Sequence, residues 1–271
     1  MHAEIQARVE RISADDRHGA SWLAKEAVEA IVAAVELDED PIAVARELVQ
    51  ARPTIGAIAG ALGRVLVAGR TPEQLVEEAH AVIGSRERAA ATIAVLVAPE
   101  ISERVVMTHS ASATAREALI HGHPARVVCT VSDPVGEGRT FAEELAETGL
   151  TTEVVADSDA GHAVASVGLL LLGADTVFRD GSLLNKVHTE PLTKAAIEAG
   201  VPVVVACEVL KLAPDYPVEA DEDRVDLTPP EQITSYVTEE GVYAPDEIGA
   251  LVDRTPFLAE GYELLKRPAP A

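Results

Sequence analysis

The chain has 271 residues, with 45 acidic side chains against 22 basic ones, a net charge of −23, and 48% hydrophobic residues. So large an apolar share excludes intrinsic disorder, and so negative a chain repels phosphate backbones, which excludes nucleic acid as a partner. The length allows one large core or two modest ones.

Aromatics are scarce at 3%, and the acid is spread over the whole chain instead of gathered in a tail. That pattern suits a halophilic setting, where salt screens self-repulsion. The N-terminal stretch MHAEIQARVERIS has no apolar signal region, and the longest apolar run, VASVGLLLLGA, is too short for a bilayer. A soluble, cytoplasmic protein with no membrane contact is expected. Cys129 and Cys207 both fall in apolar, strand-like runs, so buried thiols are expected and no disulfide framework.

In chain order, residues 1–98 read as helices. Ile5, Val9 and Ile12 mark one amphipathic stretch, and Trp22, Leu23, Val28, Ile31, Val32 and Val35 a second. Asp40–Pro41 and Thr71–Pro72 read as caps with proline at the first helical position. The segment PTIGAIAGALGRVLVAG reads as a helix packed tightly among others.

From about residue 101 the rhythm changes. Five apolar runs, RVVMT, ARVVCTV, TTEVVA, GLLLLGA and VPVVVA, alternate with helical segments. The fold class expected is α/β, a helical N-terminal domain (1–98) followed by a parallel-sheet domain (99–271) covered on both faces. The stretch from 212 onward reads as loops plus a last helix around 246–265.

Ligands in such sheets sit beyond the carboxyl ends of the strands, so those ends hold the candidate residues. The first strand runs into Thr108-His109-Ser110-Ala111-Ser112 ahead of a helix, an anion site or a plain N-cap. No G-x-S-x-G elbow surrounds Ser110, which argues against a hydrolase serine. The second strand runs into Asp133-Pro134-Val135-Gly136-Glu137-Gly138-Arg139. Phe141 stands where a dinucleotide fingerprint needs its third glycine, so no such cofactor is expected. Arg139 opposes the dipole of the helix it opens, which a ligand or an ion pair would explain. After GLLLLGA comes Asp175, a carboxylate whose pKa burial would raise, then Asn185-Lys186-Val187-His188-Thr189 in a loop. A structural Asp175–Lys186 ion pair is the plainer alternative. No metal or cofactor is implied.

These strings, LLGADTVFRDGSLLNKVHTEPLTKAA with VVMTHSAS before it and VPVVVACEVLKLAP after it, resemble the initiation factor 2B regulatory subunits (alpha, beta, delta). That family is shared with methylthioribose-1-phosphate and ribose-1,5-bisphosphate isomerases. The resemblance extends to His18-Gly19-Ala20 and Arg52-Pro53-Thr54. It implies a Rossmann-like C-terminal domain and pairing through that domain, hence a homodimer or higher oligomer. It implies acid/base roles for the aspartate matched by Asp175 and for a cysteine whose place Ser110 takes. Three further departures are His18 for a phosphate-binding arginine, Asp133 for an arginine, and His188 for a glycine. The reading is therefore an initiation factor 2B-like protein binding a phosphorylated small metabolite, without isomerase activity. The site residues expected are His18, Gly19, Ala20, Arg52, His109, Gly138, Arg139, Asn185 and Lys186. The alternative is an aldose–ketose isomerase of ribose 1,5-bisphosphate type in nucleoside catabolism, using Asp175 and Ser110.

Overall fold

The computed structural model describes residues 1–214 and 224–266. Five helices come first: α1 (Ala3–Ala14), α2 (Ala20–Glu36), α3 (Pro41–Ala51), α4 (Gly56–Ala68) and α5 (Pro72–Ile101). Two of the starts are set locally. The Asp40 carboxylate accepts from the Ile42 N–H at 2.9 Å, and the Thr71 hydroxyl accepts from the Gln74 N–H at 3.3 Å. Each cap precedes a proline, whose missing N–H is no loss in a first turn. The helix α4 is apolar almost all round, a pattern that needs neighbours on every side. It has them in α2, α3, α5 and the C-terminal helix.

The α/β part follows as β1 (Val105–Thr108), α6 (Ala113–Gly122), β2 (Arg126–Thr130), α7 (Glu137–Glu147), β3 (Thr152–Val155), α8 (Asp157–Ala163) and β4 (Leu169–Leu172). After these come β5 (Thr176–Phe178), β6 (Leu183–Lys186), α9 (Thr189–Glu198), β7 (Val203–Ala206) and β8 (Leu212–Ala213). The chain closes with β9 (Val225–Thr228), β10 (Ser235–Thr238), β11 (Gly241–Tyr243), α10 (Ile248–Asp253) and α11 (Pro256–Leu265).

The main sheet has the order β11-β10-β7-β4-β1-β2-β3, parallel throughout except for the antiparallel edge strand β11. Alternate residues face opposite layers, as strand geometry requires. Met107, Val128, Leu170 and Val203 pack toward α8, α9 and α10. Val106, Val127, Leu169 and Val204 pack toward α5, α6 and α7. Both faces are therefore buried, and the all-apolar strands follow from that. The two cysteines sit in these opposite layers as buried free thiols. Burial pushes the Cys129 thiol up to about 12 and raises Cys207 as well.

The five expected strands all form, but the sheet content is larger than the sequence suggested. The stretch after Asp175, read as a loop, holds strands β5 and β6, which build a second sheet of order β8-β5-β6-β9. Within it β5 and β6 form a hairpin around Asp180-Gly181, with Gly181 at φ +83°. The stretch from 212, read as loops and one helix, holds β8 to β11 and two helices; its residues 215–223 and 267–271 lie outside the described ones. These strands are two to four residues long. Apart from the β5–β6 and β10–β11 hairpins they pair with distant segments, as β10 does with β7, and strands so short carry little local pattern.

The two layers of the chain are also knitted together. The helix α5 contributes Ala79 and Val82 to the helical core and Ile93, Val97 and Ile101 to the sheet core. The last helix α11 returns to α4, where Gly63 and Gly261 meet: a Cβ built on Gly261 would lie 2.5 Å from the Gly63 Cα. Among the described residues no helix is long and apolar enough to cross a membrane.

Candidate functional site

The strand order β3-β2-β1-β4-β7-β10 reverses direction between β1 and β4. In an open parallel sheet that reversal opens a crevice beyond the carboxyl ends of the two strands. Here β1 ends on Thr108 ahead of His109 and Ser110, and β4 ends on Leu172 ahead of Gly173, Ala174 and Asp175. The crevice is roofed by the start of α2 and by the turn after α3, giving a cleft of about 670 Å³. Six basic residues line it, Arg17, Arg52, Arg116, Lys186, Lys211 and Arg224, against four acidic ones, Asp16, Glu137, Glu144 and Asp175. The chain as a whole has the opposite balance, 22 to 45.

Residues 17–224 match the model of the Initiation factor 2 subunit family. The chain belongs to this family. It is similar to a ribose 1,5-bisphosphate isomerase of Haloferax volcanii, 29% identical over 93% of this chain and 92% of that protein. It is similar also to a translation initiation factor eIF-2B subunit 2-like protein of Pyrococcus abyssi, 31% identical over 86% of this chain and 94% of that one. Among solved structures, the Pyrococcus horikoshii translation initiation factor eIF-2B superposes with a TM-score of 0.82 at 26% identity, covering 90% of this chain and 98% of that one. The P. horikoshii 5-methylthioribose 1-phosphate isomerase shares the fold, with a TM-score of 0.70 at 18% identity, covering 96% and 87%. At these identities the family's regulatory and isomerase members are alike as relatives.

In this initiation factor 2 subunit family member, Asp175 lies partly buried on the cleft floor, and its carboxylate makes no hydrogen bond to a described residue. Burial pushes its pKa up, against the pull of Lys211, Arg52 and Lys186, while Glu137 adds to the rise. The alternative reading, a structural Asp175–Lys186 ion pair, does not hold, since no such pair forms between these two side chains. Lys186 Nζ lies instead 3.1 Å from Glu137 Oε1. The same oxygen accepts the Ser110 hydroxyl at 2.8 Å, and Glu137 Oε2 is buried without a hydrogen-bond partner among the described residues. Ser110 is held at φ +62°, in the left-handed region, with its N–H donating to Ser132 Oγ at 2.8 Å. It does not cap α6; Ser112 does, accepting from the Ala115 N–H.

His18, Gly19, Ala20, Arg52, His109, Asn185 and Lys186 all line the cleft. His18 stacks on Trp22 with ring centroids 3.9 Å apart and bonds Asp15 at 2.7 Å. Arg52 donates to the Asp15 carbonyl. Asn185 is buried and donates to Thr189 Oγ1. His109 is 2% exposed, and both of its ring nitrogens are engaged within the protein, by Thr130 and by the Val187 carbonyl.

Gly138 and Arg139 are not among the lining residues. Gly138 packs the start of α7 onto β2, where a Cβ would come within 1.8 Å of the Thr130 carbonyl oxygen. That close approach is what brings Glu137 into the cleft. Arg139, one residue on, is exposed. Asp133, read as a charge reversal beside the ligand, is exposed and outside the lining too; its N–H is bound by Asp157.

Sequence reasoning missed two residues that matter most here. Glu137 was passed over as part of a glycine-rich turn. Lys211 is 3% exposed and lines the cleft, with Nζ 3.3 Å from Glu208. Glu208 is itself buried and accepts from Thr114 at 3.0 Å and Ser21 at 3.3 Å. Burial opposes the Glu208 charge, but Lys211 and Arg86 outweigh it and hold its pKa low. The usable signal was the scarcity of lysine: Lys186 and Lys211 are two of only five. Among the described residues no cluster of three His, Cys, Asp or Glu side chains could hold a metal ion.

Proposed function

We propose that this chain is an initiation factor 2B-like regulatory protein whose cleft binds a phosphorylated small metabolite, a sugar phosphate or a nucleotide, without isomerase turnover. The observation that carries the reading is the local reversal of charge: basic residues outnumber acidic ones around the cleft of a strongly acidic protein. Long-range attraction of an anion to the surface as a whole is unfavourable, so an anionic ligand needs such a focused site. The α2 N-terminus at Gly19 and Ala20 adds unpaired backbone N–H groups to it, which favour phosphate. The absence of turnover rests on Ser110, whose hydroxyl is a far weaker proton-transfer group than a thiol and is already given to Glu137.

A thermal-shift screen of sugar phosphates and nucleotides in molar KCl tests binding. Ligand that binds only the folded state raises the melting temperature with concentration. No shift with any phosphorylated compound, at concentrations up to millimolar, would defeat the reading.

One observation favours the second reading, an isomerase of ribose 1,5-bisphosphate type. The pKa of Asp175 is raised and its carboxylate is unengaged on the floor of the cleft, which suits a general acid or base. Product formation by the wild-type chain that vanishes in Asp175→Asn would decide for it.

A further inference from the structure

The hydrogen bonds beneath the cleft form a closed ring whose direction is dictated by one group. The Val187 carbonyl, 2.8 Å from His109 Nε2, can only accept, so Nε2 carries the proton. Nδ1 is then bare and accepts from the Thr130 hydroxyl at 2.7 Å. With its proton spent, Thr130 Oγ1 accepts from Ser132 Oγ at 2.9 Å, and Ser132 Oγ accepts the Ser110 N–H at 2.8 Å. The ring closes on the cleft side through the Ser110 hydroxyl, Glu137 Oε1 and Lys186 Nζ, and Lys186 is covalently joined to Val187. It thus ties together the cleft-side ends of β1, β2, β6 and α7.

We propose that His109 is a positioning residue: as the neutral, Nε2-protonated imidazole it fixes the turn bearing Ser110 and the strand end bearing Lys186 in the placing that the anion site requires. It acts through these two residues and has no ring N–H left to offer a ligand. The proposal rests on the binding reading above for the site's purpose, but not for the ring itself. A second proton on Nδ1 would oppose the Thr130 proton and reverse the chain of hydroxyls, leaving the Ser132 proton without its acceptor in the ring. The surroundings resist that second proton. Burial disfavours the imidazolium and His188 repels it, and together they outweigh the Val187 carbonyl, Asp157 on α8 and Glu137 on α7, which favour it. The ring is therefore complete only with His109 neutral, and a charged His109 breaks it.

Two measurements decide the proposal. In the first, proton–nitrogen correlation spectra of the histidine rings are recorded in wild type, with His109→Gln identifying the signal. The expected result is the Nε2–H tautomer, unchanged from about pH 8 to about pH 5.5, the interval in which a free imidazole charges. An Nδ1–H tautomer, or a titration midpoint in that interval, overturns the proposal whether or not any ligand binds. In the second, ribose 5-phosphate affinity is measured by calorimetry for wild type, His109→Gln, His109→Leu and Thr130→Val. The glutamine amide keeps one donor and one acceptor, so its affinity should stay within a few-fold of wild type. The leucine and valine variants should each bind about tenfold more weakly, the effect of one or two lost net hydrogen bonds. If the leucine variant does not fold, Thr130→Val carries the comparison. Folded variants that lose melting temperature but keep wild-type affinity would make the ring purely structural and overturn the proposal. Wild type that binds no phosphorylated probe defeats the function proposed above, and the spectra then decide the tautomer alone.

Discussion

The Ser110 hydroxyl donates to Glu137 Oε1 at 2.8 Å, so the side chain beyond the end of β1 is held by the first residue of α7. No turnover is expected on ribose 1,5-bisphosphate or methylthioribose 1-phosphate. A positioned proton-transfer group typically contributes roughly 10²–10⁴-fold, and this one is replaced by a hydroxyl bound to a carboxylate. Ser110→Cys should not restore the rate. The thiol would face the Glu137 carboxylate, and a neighbouring negative charge disfavours the thiolate. An assay of product formation in molar KCl checks both statements, and ready turnover by either protein would contradict them.

Asp175 should destabilise the fold at neutral pH. Its pKa is raised by burial, so folding takes up a proton there. The stability it confers is complete below the unfolded pKa of about 4 and is lost as the pH rises through the folded value. Asp175→Asn should therefore melt higher than wild type at neutral pH, with the gap shrinking as the pH falls through the folded value and gone below about 4. Calorimetric scans across that range give the answer; a variant that melts lower than wild type at neutral pH would mean that the three nearby cations outweigh burial.

Gly138→Ala should be among the most damaging single changes. Its new Cβ would sit 1.8 Å from the Thr130 carbonyl oxygen, and the obstacle is backbone that cannot swing away. Overpacking of this kind costs about 3 kcal/mol, and the relief available, moving α7 outward, would carry Glu137 off Ser110 and Lys186. Urea denaturation reads the loss; a change below about 0.5 kcal/mol would show that α7 is loosely seated.

Low salt should loosen the protein. With a net charge of −23, like charges repel once screening is withdrawn, and the Debye length grows from about 3 Å at 1 M to about 30 Å at 0.01 M. Circular dichroism melts from molar to millimolar KCl should show a steady fall. An unchanged midpoint would remove salt adaptation as the reason for the charge.

Light scattering in high salt should report a mass above the 28.5 kDa of one chain, the assembly that the family resemblance implies. A monomer at micromolar concentration would count against pairing through the sheet domain.

The sequence by itself determined the two-part order of the fold and most of the strands and helices that frame the cleft. Periodicity is a local property, and runs such as LLLL at 169–172 or the cap Asp40–Pro41 carry their meaning within a few residues. It also pointed to the ends of β1 and β4, because parallel sheets place their sites there whatever their side chains. Only the tertiary structure decided which of the named residues meet. Lys186 pairs with Glu137 and not with Asp175, and Arg139 is exposed one residue after a glycine that must hug β2. Residues 2 to 187 positions apart in the chain make the contacts that define the site, from Thr130–Ser132 to Ser21–Glu208. The four-stranded sheet was invisible because its strands are two to four residues long and, beyond the β5–β6 hairpin, pair with segments far along the chain. Hydrogen bonds and ion pairs act over a few ångströms, and which groups come that close is settled by packing and not by spacing along the chain.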